Sequence, residues 1–160
     1  MTAQGTLVDV FEKACHQYAD NPAYSAVGHT LSFSALEKLS RDFAAWLQNK
    51  TDLNPGDRIA IQLPNILQFP IAAIGAIKAG LVLVNTNPLY TAREMKHQFQ
   101  DAGVKAVVIL VNFADKLEEI LPETEIQCII TTELGRSDHW KHSEGSGSRS
   151  CASGVATGGV

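Results

Sequence analysis

The sequence predicts an α/β fold, with a largely parallel sheet flanked by helices and a disordered C-terminal tail. Three observations predict it. The runs "RIAIQL", "LVLVN" and "VKAVVIL" are near-continuously apolar at strand length, as strands covered on both faces must be. The segments separating them are long enough to serve as crossover helices. Beyond Gly135 the text "GRSDHWKHSEGSGSRSCASGVATGGV" holds half of the chain's twelve glycines and no apolar periodicity, so no packed element is expected there.

Each element follows from local chemistry. Leu7, Val10, Phe11, Ala14 and Cys15 repeat at helical spacing and predict a first helix from Leu7 to about Tyr18. "AYSAV" and "TLSF" flank Gly28 and His29 as a small β-hairpin. Ser34 with Glu37 three residues later spells a capping box that opens a second amphipathic helix through Leu36, Leu39, Phe43 and Leu47. Asn54 to Asp57 form a turn into "RIAIQL". The next helix starts near Gln68, stops at Gly80 and has almost no polar face, with Ile71 and Ile74 among its apolar residues, so it should lie between two layers. Pro88 ends "LVLVNTNP", and Thr91 with Glu94 caps a fourth helix whose stripe is Met95, Phe99 and Ala102, closed by Gly103. Then come "VKAVVILV", a short helix from Phe113 to Leu121, and the strand "IQCIIT".

With 160 residues, 45% of them hydrophobic and 19% charged, the chain suffices for one domain with a core. A net charge of −4 and the lack of a Lys/Arg stripe interleaved with aromatics argue against nucleic acid as partner. Cys15, Cys128 and Cys151 are odd in number and widely spaced, which reads as a reduced cytoplasmic chain. The N-terminus has no basic stretch and apolar core of a signal peptide. Gln68, Pro70, Lys78 and Gly80 interrupt the apolar stretch from Ile66 to Val84, which reads as a buried helix and strand instead of a membrane span.

The chemistry-bearing residues are few. "RIAIQL" leads into "PNILQF", not a G-x-G-x-x-G turn, which excludes an ordinary nicotinamide enzyme. The tail's "GSGSRSCASG" lacks the Gly-Lys-Ser/Thr ending of a phosphate loop and follows no strand. Asn85, Asn87, Pro88, Leu89, Tyr90 and Thr91 sit at the carboxyl end of a parallel strand, where such sheets bind ligands; the reading preferred over ligand binding is that Asn87 and Pro88 shape a turn and Thr91 caps a helix. His16, His29, His97, His139 and His142 have no partner at ligand spacing, and Glu118, Glu119, Glu123 and Glu125 read as a solvated face.

The spellings "GDRIAIQLPN", "AIKAG" and "VNTNPLYTAREMKHQFQDAG" closely resemble the N-terminal region of AMP-forming long-chain fatty acid CoA ligases, members of the adenylate-forming superfamily, over roughly Leu7 to Leu134. The resemblance implies a partial N-terminal AMP-binding domain over 1–134, with 135–160 a disordered or frame-shifted tail. It also implies a parent reaction in which ATP and a fatty acid form an acyl-adenylate that CoA then intercepts, with Mg²⁺ on the triphosphate. The family's phosphate loop and later adenylate motifs are not spelled in these residues. The expectation is therefore a fragment inactive by itself, with no residue assigned as catalytic, cofactor-binding or metal-ligating and no cofactor of its own. Alongside the cytoplasmic reading of the cysteines, the resemblance leaves peripheral membrane association open, because the family's substrates are lipids. A cut sheet should self-associate. Two alternatives are a stand-alone flavodoxin-like partner-binding module and a fragment of another adenylate-forming ligase, such as an aryl-CoA ligase. The abrupt change after "TTELG" predicts a reading-frame change near Gly135, since the codons shifted by one nucleotide can spell "TTELGDLITG".

Overall fold

A computed structural model describes residues 5–134 and the backbone of residues 140–144. Its first helix, α1 (Leu7–Gln17), is opened by a capping box in which Thr6 accepts the Asp9 N–H and Asp9 answers the Thr6 N–H. The expected stripe is only partly buried. Cys15 is covered and Phe11 and Ala14 are half-buried, but Leu7 and Val10 face outward because α1 lies on the rim of the helical layer with only its inner side against α2 (Phe33–Lys50) and α3 (Gln68–Lys78). Lys78 of α3 ties this corner together. Its ammonium, almost wholly buried, meets Glu12 at 2.6 Å and Glu37 at 3.6 Å and lies over the Phe11 ring.

The strands β1 (Pro22–Ala26) and β2 (His29–Ser32) form the expected antiparallel hairpin, but its turn is Val27 and Gly28, with His29 already paired to Ala26. Both turn residues have positive φ, 52° and 77°, the twist a two-residue hairpin turn requires. The α2 cap also lies earlier than expected. Ser32, extended as the last residue of β2, accepts the Ala35 N–H, while Ser34 lies inside the first turn. The first helical N–H groups are already satisfied, Phe33 by the Asn21 carbonyl and Ser34 by that of Ala19, so the helix can begin directly from the hairpin.

The main sheet has the order β4-β3-β5-β6-β7, comprising β3 (Arg58–Gln62), β4 (Val82–Asn85), β5 (Val104–Leu110), β6 (Cys128–Thr132) and β7 (Trp140–Glu144). The first four are mutually parallel. One face carries α2 and α3 over Ile59, Ile61, Ala106, Val108 and Ile130. The other carries α4 (Ala92–Ala102) and α5 (Ala114–Ile120), with Met95, Phe99, Leu117 and Ile120 against Ala60, Val107 and Ile109. Helices on both faces explain why the strands read as unbroken apolar runs. The greasy helix is indeed α3, between sheet and α2, but it is Ile71 that is fully buried while Ile74 is only half-buried.

Nothing packed was expected after Gly135, yet the backbone of β7 pairs antiparallel with β6, Thr132 opposite Trp140 and Cys128 opposite Glu144. Strand β7 completes the ladder beside β6, and such backbone pairing needs no apolar periodicity. The rest of the expected tail, and with it Cys151, lies outside the described residues.

Candidate functional site

The chain leaves β3 through α3 on one face to reach β4, while it leaves β5 through α5 on the opposite face to reach β6. The carboxyl ends of β3 and β5 are neighbours, so the sheet has its topological switch point there, where open α/β sheets place ligands. Gln62 closes β3 at this point, opposite Ile109 of β5. Two further strand ends adjoin it, the Asn85–Thr91 connection after β4 and Glu133 after β6.

Side-chain amides bind these loops to the sheet. Gln62 is fully buried and its Nε2 donates to the Asn87 carbonyl at 3.3 Å. Gln98 of α4 donates to the Asn85 carbonyl at 3.0 Å. Gln68, in the first turn of α3, donates to the Glu133 carbonyl at 2.9 Å, joining the helix start to the loop beyond β6. Of the residues singled out in the sequence, Asn87 turns its Oδ1 back to accept the Leu89 N–H, and Thr91 caps α4, accepting the Glu94 N–H while its own hydroxyl donates to the Glu94 carboxylate. The Thr91 backbone N–H, followed by its hydroxyl, holds the Glu94 carboxyl below its usual range. Asn87 and Thr91 therefore take the turn and cap roles expected of them. Leu89 is exposed and Tyr90 half-buried.

The Gln62, Gln68 and Gln98 amides at this edge thus donate to loop carbonyls and hold the strand ends together. The sequence marked Gln68 as a helix start and gave no role to Gln62 or Gln98; the signal for Gln62 was a single polar residue near the end of an otherwise apolar strand. His16, His29 and His97 are exposed, as are Glu118, Glu119, Glu123 and Glu125, although Glu123 pairs with Lys96. His139 and the side chain of His142 lie outside the described residues. Among the described residues no three His, Cys, Asp or Glu side chains stand together as a metal site, and no helix is long and apolar enough to cross a membrane. Cys15 and Cys128 are both buried, and burial pushes the Cys15 thiol up.

A model of AMP-binding enzymes matches residues 11–154. The chain belongs to the AMP-binding enzyme family. The match continues past Leu134, where the spelled resemblance ended. This family member is 47% identical over 130 residues to the long-chain-fatty-acid–CoA ligase of Escherichia coli O6:H1, and to the same degree and length to that of Haemophilus influenzae. In both cases the alignment covers 81% of this chain and 23% of the relative, so the chain spans about a quarter of the length of the curated relatives it matches. A benzoate CoA ligase from Burkholderia xenovorans superposes with a TM-score of 0.72 at 22% identity, covering 78% of this chain and 25% of that one, a likeness of fold.

Proposed function

We propose that this chain supplies the N-terminal scaffold of an AMP-forming fatty acid–CoA ligase and has no ligase activity by itself. The observation that carries the reading is 47% identity over 130 residues to a long-chain-fatty-acid–CoA ligase. The parent reaction joins a fatty acid to CoA through an acyl-adenylate, consuming ATP with Mg²⁺ and releasing AMP and pyrophosphate in the cytoplasm. The described residues offer it a rigid sheet end, held by Gln62, Gln68 and Gln98, on which other parts of such an enzyme are built. Fold alone confers no activity. The fatty-acid reading is favoured over an aryl-CoA ligase because the aryl-CoA likeness is one of fold at low identity. A stand-alone flavodoxin-like module has no comparable support.

The test has two arms. The purified chain should give no fatty-acid-dependent exchange of pyrophosphate into ATP, and robust exchange would overturn the proposal. Residues 7–134, grafted in place of the matching segment of the Escherichia coli ligase, should support acyl-CoA formation; a folded but inactive graft would count against the scaffold role. We further propose that the open β4 edge, with exposed Leu89, Val111 and Leu134 near the carboxyl ends of the strands, makes the isolated chain self-associate, which sedimentation at rising concentration will read. A frame change near Gly135 is decided by sequencing the DNA across those codons.

A further inference from the structure

Gln62 and Thr86 are neighbours on one face of the sheet. Ile61 is opposite Asn85, and Thr86 extends the ladder by donating its N–H to the Ile61 carbonyl at 3.1 Å, so Gln62 and Thr86 form the next step. Ala60 and the facing Val84 pack into the core under α4 and α5, and side chains alternate along a strand, which brings Gln62 and Thr86 to that same side. Both are buried, at 0% and 5% exposure. Among the described residues each nevertheless has one polar atom with no partner, the amide Oε1 of Gln62 and the hydroxyl Oγ1 of Thr86.

We infer that Gln62 and Thr86 bind one buried water between them, and that this water makes Gln62 the positioning residue for the Asn87–Tyr90 turn. The chemistry of the two atoms is complementary to water. Oε1 can only accept, whereas a hydroxyl can both donate and accept, so a water donating to Oε1 and exchanging a hydrogen bond with Oγ1 satisfies both. Polar atoms too far apart for a direct bond are commonly joined in this way. The water also fixes which end of the Gln62 amide faces the turn. With Oε1 held, Nε2 must point to the Asn87 carbonyl, the same carbonyl that receives the Tyr90 N–H at 3.1 Å. The turn is therefore held from beneath by a side chain whose orientation depends on Thr86.

Water-to-amide cross-relaxation NMR on the unaltered 160-residue chain, and a high-resolution crystal structure, test the site directly. One ordered water within hydrogen-bond distance of both Gln62 Oε1 and Thr86 Oγ1 is expected. Finding none, or finding Oε1 bonded to a protein donor, would overturn the inference. Thr86→Val, nearly isosteric, should lose the water and speed hydrogen exchange at Tyr90 about tenfold relative to the β5 amides, while Thr86→Ser should keep both at the parent level. Equal Tyr90 exchange in the parent and both variants would show that the hydroxyl does not position the turn.

Discussion

Gly75 of α3 passes so close to α2 that a Cβ built on it would stand 2.8 Å from the Ser40 carbonyl oxygen and 2.8 Å from the Phe43 ring. The obstacle at Ser40 is backbone, which cannot rotate away as a long side chain could. Gly75→Ala should therefore push the helices apart and destabilise the protein by about 1–3 kcal/mol, read as a lower urea midpoint at unchanged slope.

Helix α3 also fixes the ranking of two isoleucines. Ile71 is fully buried between sheet and α2, whereas Ile74 is half-buried. Ile71→Ala should cost about 2–5 kcal/mol, and Ile74→Ala distinctly less. Equilibrium unfolding of the two variants side by side checks the order.

How much of this was legible in the sequence differs by element. The central strands were, because cover on both faces demands apolar runs, and so was the Thr91–Glu94 cap, whose two partners are local. Ser32 and Ser34 are both good caps, and the choice of Ser32 rests on where the Asn21 and Ala19 carbonyls lie. Ile71 and Ile74 look alike until the face of α3 that meets the sheet is known. Gln62 was hidden because a buried glutamine and an exposed one are spelled the same. Strand β7 depends on backbone pairing with β6, which no local pattern reports.

Acid sensitivity should come partly from Asp57. Its carboxylate accepts the Asn54 N–H at 2.8 Å and meets Lys105 at 2.8 Å, and these contacts, the Asn54 bond first, hold its carboxyl below the usual range. The folded protein thus takes up this proton less readily than the unfolded chain does. The stabilisation is fully present above the unfolded value of about 3.9 and is lost as pH falls through the lower folded value. Asp57→Asn should lower the urea midpoint near neutral pH, with the difference from the parent shrinking in strong acid.

The hairpin turn contains an avoidable strain. Val27 holds a φ of 52° and is 70% exposed, so its branched side chain suffers the left-handed backbone without packing in return. Val27→Asn, the residue preferred at the first position of such a turn, should stabilise the protein by about 1 kcal/mol. A rise in the thermal midpoint is the expected reading.

The strand order gives synthesis a particular timetable. Strand β3 emerges first among the parallel four, yet its two neighbours, β4 and β5, both lie later in the chain and on opposite sides of it. One flank can be closed as soon as α3 and β4 have left the ribosome, but the other stays open until Val104–Leu110 appears. The nascent sheet must therefore wait, half-built, for α4 to cross over. During that interval the apolar centre of the protein is guarded only by α2 and α3, on one face.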